Sequence, residues 1–275
     1  HRPRDRREDG VPIVAMDFFF LGEPKVEKLM PAVAIRDSVS KALFAHVIPG
    51  KGLDFEWTAS QVVSDIGRLG YPRVVIRNDQ EPAITALVDK IKEILDTKNK
   101  ETLIEWSPKY DSDANGQAER GVQAVEGMAR TLKLRLESRI GASVPADHAL
   151  IGWLVRHAAD VITKLEVKQN GKTAYHMLKG RNYTGELAAF GQKVLFMLPK
   201  RQRGGDMQAR WATGIWLGKL WRSDEHILAA DGGVVRARAI RGMPESESWD
   251  KEALQNITAT PWCFKKGHQP EHPHG

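Results

Sequence analysis

The stretch Val11–Phe20, VPIVAMDFFF, decides the fold. It has the length and apolar content of a strand buried on both faces, interrupted only by Asp17, which shares a face with Ile13, Ala15 and Phe19. An unpaired buried carboxylate costs several kcal/mol, so either a cation compensates Asp17 or the strand lies at an open sheet edge or end. A structural salt bridge is the plainer alternative. Working outward, Ala32–Arg36 and Ala42–Ile48 read as two further strands, separated by the turn formers Asp37 and Ser38 and closed by Pro49, Gly50 and Gly52. Three strands with short turns predict an antiparallel meander.

The period then changes. Phe55, Ala59, Val62, Ile66 and Leu69 step by three and four, the spacing of one helix face, and Gly70 with Pro72 stops that helix. Arg73–Arg77 is a short strand, Ile84, Leu87, Ile91 and Ile94 mark a second helix, and Thr102–Trp106 is a fifth strand. After the polar loop Ser107–Gly116, a long helix carries Ala118, Val122, Val125, Ala129, Leu132 and Leu136 on its core face, and another runs from about Ala146 to Leu165. From Phe190 the texture is all-β: Lys193–Leu198, Gly214–Leu217, His226–Ala229 and Val234–Ala239 are strand-like, with Trp211, Trp216 and Trp221 available for a small core. The expected organisation is a linker at 1–10, an α/β core at 11–188, a small β-barrel at 189–243 and a tail at 244–275 without a fold.

In 275 residues, 41% hydrophobic and 28% charged, there is material for one large or two modest domains, and a mainly disordered or collagen-like chain is excluded. No apolar run approaches the roughly 20 residues of a membrane span, and no signal-peptide pattern opens the chain. Cys263 is the only cysteine, so an internal disulfide and a multi-cysteine zinc module are both excluded. The chain starts at His1 and its first methionine is Met16, which suggests a piece of a longer product. The net charge is +6, and Gly191–Ile240 alone holds nine Lys or Arg against four acids, an excess of five. A near-neutral body joined to a basic module makes nucleic acid the leading partner, with a solvated basic surface as the alternative.

Three acids stand where chemistry collects. Asp79 follows the strand RVVIR at its carboxyl end, where ligands of open α/β sheets bind, although Asn78-Asp79 is also ordinary turn chemistry. Glu119 is expected in the first turn of the long helix, a position the helix dipole favours for any acid. Taken with Asp17, the three carboxylates would repel one another unless divalent cations neutralised them, and two Mg²⁺ or Mn²⁺ ions in oxygen-ligand sites suit phosphoryl transfer.

The meander followed by crossover units resembles the ribonuclease H-like fold, and the acids resemble the D,D,E set of retroviral and copia-type retrotransposon integrases. Asp17 lies in VAMDFF, Asp79 in VVIRNDQEPA and Glu119 in SPKYDSDANGQAERGVQAV, with separations of 62 and 40 residues, the second slightly long for the family. KTAYHMLKGRNY (Lys172–Tyr183), AFGQKVLF (Ala189–Phe196) and WATGIWLG (Trp211–Gly218) are similar to the segment leaving the core of copia-type integrases and to the small Src-homology-3-like barrel after it. The resemblance implies a mixed five-stranded sheet flanked by helices, two Mg²⁺ (or Mn²⁺) ions on Asp17, Asp79 and Glu119, and 3′-end trimming with strand transfer of element ends into target DNA. It further implies a homo-oligomer released from a polyprotein, cytoplasmic at first and then nuclear. The family's amino-terminal His/Cys zinc module is absent, in keeping with a fragment.

Arg130 and Lys133, in the row Glu119, Gln123, Glu126, Arg130, Lys133, are candidate DNA contacts, as are Lys200, Arg201 and Arg203 in the basic module. For the first two, a solvated helix face is an equal reading. Gly171-Lys172-Thr173 lacks the upstream glycine of a phosphate loop and reads as a helix start. Cys263, His268, His272 and His274 fall in a short Pro-rich tail and are not read as a metal site. Two rivals stay open: a transposase or nuclease of the same fold, and a relic that binds nucleic acid without catalysis.

Overall fold

A computed structural model describes residues 10–22, 30–49, 55–79, 81–106, 112–198 and 207–264, with only the backbone of 112–115. Two compact units are present. Of the described residues, one unit comprises those in 10–21, 30–126 and 159–183; the other holds those in 127–158 and from 184 to 264.

In the first unit β1 (Ile13–Leu21), β2 (Met30–Asp37) and β3 (Leu43–Val47) form the predicted antiparallel meander. Helix α1 (Glu56–Leu69) leads to β4 (Arg73–Asn78), which pairs parallel with β1, and α2 (Pro82–Thr97) leads to β5 (Glu101–Trp106), parallel with β4. The sheet order β3-β2-β1-β4-β5 is that of the ribonuclease H-like fold. Strand alternation then assigns the faces. On one, His46 of β3 binds Asp65 of α1 (Nε2 to Oδ2, 2.6 Å), and Phe18 meets Phe55 at the start of α1. On the other lie Ala15, Asp17, Arg36 and Leu43, and α3 (Ser112–Ile140) crosses there, with a Cβ at Gly121 falling 3.1 Å from Leu43 Cδ2. The open edge of β3 is covered by α4 (Leu150–Leu165), whose Thr163 hydroxyl both accepts from Leu43 N and donates to Leu43 O, each at 2.8 Å. The helix start read at Thr173 holds: its hydroxyl accepts from His176 N and caps α5 (Ala174–Lys179).

The second unit is built on an antiparallel sheet of order β10-β6-β7-β8-β9, comprising β6 (Lys193–Met197), β7 (Trp211–Lys219), β8 (His226–Ala230), β9 (Gly233–Ala237) and β10 (Ile240–Arg241). The last strand returns to pair with the first, as in small barrels of the expected kind. Trp216 is fully buried among Val194, Phe196 and Leu228, whereas Trp211 and Trp221 are half-buried, so the core uses one of the three tryptophans.

Two expectations are corrected here. The compact units do not divide at residue 188, because the later part of α3 and the earlier part of α4 belong with the second sheet. Their side chains are shared with it: the His157 ring stacks on Phe190 and meets Trp216 edge-on, and Gly191, at φ +79°, has Leu136 where a Cβ would stand. Nor is the chain after Met243 without a fold as far as Phe264. A 3-10 turn (Glu245–Glu247) and α6 (Lys251–Gln255), capped by Asp250, bury Leu254, Ile257 and Ala259, and Trp153 Nε1 donates to Ala259 O at 2.9 Å. Residues 265–275, with the three histidines of the tail, lie outside the described residues. Gly152 sits where a Cβ would come 2.9 Å from Pro261 Cδ and 3.0 Å from the Trp262 ring. Gly152→Ala should therefore cost about 1–3 kcal/mol through overpacking. Limited proteolysis read against the wild type should show faster cleavage after residue 255.

Candidate active site

The parallel register between β1 and β4 runs Ile13 with Val75, Val14 with Ile76 and Ala15 with Arg77. Carried two residues further, it sets Asp17 level with Asp79, the first residue beyond β4. Beyond Ala15, β1 is paired only with β2, on through Leu21, so Asp17 lies on strand that overhangs the carboxyl end of β4. The turn after β4 is held by the buried Asn78, whose Nδ2 donates to Asp79 O at 3.0 Å. One strand away, Arg77 is bonded to Glu105 of β5 at 3.2 Å.

These positions leave Asp17 half-buried among other acids. Burial, then the charge of Asp79, and to a lesser extent those of Glu81 and Glu119, push its carboxyl up from 3.8 to about 6, against a backbone hydrogen bond at Phe18 that pulls it down. The charges of the predicted acids at the end of β4 and on α3 thus both reach Asp17 on β1. Glu81 is a fourth member that sequence reasoning missed. It occupies the N-cap position of α2, directly before Pro82, and the string Glu-Pro at a helix start was the available signal.

Glu119 is exposed, and it is not in the first turn of its helix: α3 begins at Ser112, about two turns earlier. The dipole therefore gives no account of an acid there. Ala118 and Gly121, on either side of it, face the sheet. Among the described residues no group of three or more His, Cys, Asp or Glu stands in a ready-made metal cage. The arrangement is a shared negative field where β1 overhangs the end of β4, with two of its four carboxylates, Asp79 and Glu81, between β4 and α2.

The basic candidates are distributed differently. Arg130 is exposed in the second unit, and Lys133, also there, has its Nζ 2.6 Å from Glu137 Oε1, an acceptor it shares with Val144 N. Lys200, Arg201 and Arg203 lie outside the described residues. Among the described residues no helix is long and apolar enough to cross a membrane.

The raised carboxyl of Asp17 makes a stability prediction with a definite sign. The unfolded chain gives up this proton near 3.8 and the folded protein near 6, so metal-free protein should lose stability as pH rises through that interval. Asp17→Asn should flatten this dependence and melt higher than wild type at pH 7.5 in chelator. A lower melting temperature for Asp17→Asn under those conditions would show that its charge is structurally compensated.

No protein-family model matches the chain, and no curated protein does. Among solved structures it is similar to the HTLV-2 integrase catalytic core domain in complex with magnesium (18% identity, 60% of this chain and 93% of that one, TM-score 0.43). It is also similar to a chain of the simian T-cell lymphotropic virus intasome in complex with the PP2A regulatory subunit B56 gamma (14% identity, 84% and 78%, TM-score 0.45). The catalytic core domain of BIV integrase is a third (15% identity, 60% and 92%, TM-score 0.42). The fold assignment rests on the strand order of this chain itself.

Proposed function

We propose that the chain acts as a retrotransposon-type integrase, a polynucleotidyl transferase that trims DNA 3′ ends and joins them to target DNA. The observation that carries the reading is the register that sets Asp17 level with Asp79 where β1 overhangs the end of β4, with Asp79, Glu81 and Glu119 near enough to push the Asp17 carboxyl up. Acids gathered without a paired cation among the described residues leave an electrostatic deficit, and oxygen-ligand divalent cations fit it. Asp17, Asp79 and Glu119 would hold two Mg²⁺ or Mn²⁺ ions. When bound, such ions supply Lewis-acid activation of a water or a 3′-hydroxyl and neutralise charge on the phosphodiester.

The residues of the chain do the rest. Asp17, on the strand between β2 and β4, is fixed by the sheet, so it sets the position of the reacting phosphate. Asp79 and Glu119 lie on a turn and a helix and close the site from two sides. The basic segment with Lys200, Arg201 and Arg203, together with Arg130, would hold DNA through phosphates in a salt-dependent way. Lys133 is the weaker DNA candidate because Glu137 already occupies it. Homo-oligomerisation, with a nuclear site of action, belongs to the same reading.

The test is incubation with a labelled element-end duplex and Mn²⁺. Integrase action gives both shortened and joined products, a nuclease of the same fold gives shortened products alone, and a relic binds the duplex and gives neither.

A further inference from the structure

Arg36 lies on β2 directly opposite Ala15, on the face that carries Asp17, and roughly 7 Å from it along the strand direction. Its aliphatic stem runs beneath α3 at Gly121, where an added Cβ would lie 3.4 Å from Arg36 Cβ and 3.6 Å from its Cδ. The stem is therefore clamped two residues from Glu119. Arg36 Nε is buried and has no hydrogen-bond partner. Arg120, the residue after Glu119, is exposed, with its guanidinium folded back beside Gly116, 3.8 Å from where a Cβ there would stand.

The two guanidinium groups are close enough to repel. After burial, Arg120 is the main influence that makes the charge on Arg36 costlier, and Glu166 offsets it least. Glu166 is itself 2.8 Å from Lys168 Nζ. Arg36, Arg120, Lys168 and Glu166 together leave two positive charges that no described carboxylate answers. A half-buried arginine whose Nε has no partner, with a second arginine near enough for their charges to act on each other, suits an anionic group with several acceptor oxygens.

We infer that Arg36 and Arg120 together bind a backbone phosphate of the nucleic acid strand held at the Asp17 edge. This inference rests on the reading of the site given above. The planar fork of Arg36, oriented by its clamped stem, fixes where the strand lies, and Arg120 closes over the same phosphate from the helix. The pair would position substrate and take no part in the chemistry.

The test uses the full chain, a fluorescent duplex, chelator in place of divalent metal, and a salt series. Arg120→Gln, an exposed change that leaves packing intact, should lower the slope of log affinity against log salt, and R36Q/R120Q should lower it by up to about 1 in all, because the two share one phosphate. K92Q, at an exposed lysine of α2 already paired with Asp96, should leave the slope at the wild-type value. An Arg120→Gln slope equal to wild type, or an equal fall in K92Q, overturns the inference. Should Arg36→Gln melt early, Arg120→Gln decides alone. The two ideas fail separately: a reduced slope in Arg120→Gln with no cleavage by wild type keeps the phosphate site and removes the enzyme reading. Normal cleavage with an unchanged slope does the reverse.

Discussion

Asp79→Asn is expected to abolish both end trimming and joining, by more than about 100-fold, while leaving the fold intact. The substitution changes charge with almost no change of volume at a half-buried turn residue, and the turn's anchor, Asn78 Nδ2 to Asp79 O, uses the main chain and survives it. Even outer partners of a metal ligand cost about 10–100-fold when removed, so loss of the ligand itself should cost more. Duplex affinity in chelator should stay within about twofold of wild type, because the phosphate contacts are not touched. On the proposed function, in which one set of acids serves both steps, trimming and joining should fall together. Full activity in Asp79→Asn would remove this residue from the site, and loss of joining alone would mean that the two steps use different groups.

The second large effect is structural. Trp216→Ala should destabilise the second unit by about 3–5 kcal/mol, the usual cost of emptying a tryptophan site in a packed core. Trp216 is completely buried in β7, packed against Val194, Phe196, Leu228 and Ile240. Its Nε1 donates to His226 Nδ1 at 3.0 Å, which places the proton of the neutral imidazole on Nε2. Burial first, then Lys219, keeps His226 neutral by holding its pKa down to about 4, with Asp224 opposing. Trp216→Phe would keep most of the apolar contact but leave Nδ1 without its donor, so it should cost less, about 1–3 kcal/mol. Denaturant midpoints of the two variants check the order. Equal losses would show that the hydrogen bond, and not the packing, dominates.

The parts of the molecule that were legible in the sequence are those governed by local periodicity. VPIVAMDFFF reads as a strand buried on both faces, and the acid inside it had to be explained. The alternation and three-four spacing downstream placed α1, α2 and the parallel strands. The start of α3 was not legible, because Asp113, Ala114, Asn115 and Gly116 read as a loop by composition, and a helix there must pay for its glycine. Placing Glu119 in a first turn followed from that error. The effect of Glu81 on Asp17 was not legible, because it comes from the sheet register, which brings Asp79 and its neighbours beside β1.

The tail was illegible for a different reason. Ser248, Leu254, Ile257 and Ala259 are buried by partners far away in sequence: Lys193 N donates to Ser248 O, Trp153 donates to Ala259 O, and Phe264 stacks on Trp153. A Pro-rich polar composition predicts no core of its own, and there is none. The segment is ordered by borrowing one.

The most direct measurement of the central claim is calorimetric titration of Mn²⁺ into metal-free protein, at pH 6.0 and pH 7.5, in buffers of different ionisation enthalpy. If Asp17 with its neighbours is a divalent-cation site, binding is saturable, releases more protons at pH 6.0 than at pH 7.5, and is lost in both Asp17→Asn and Asp79→Asn. Binding that is unchanged in the two variants, or that releases no protons at either pH, would contradict it.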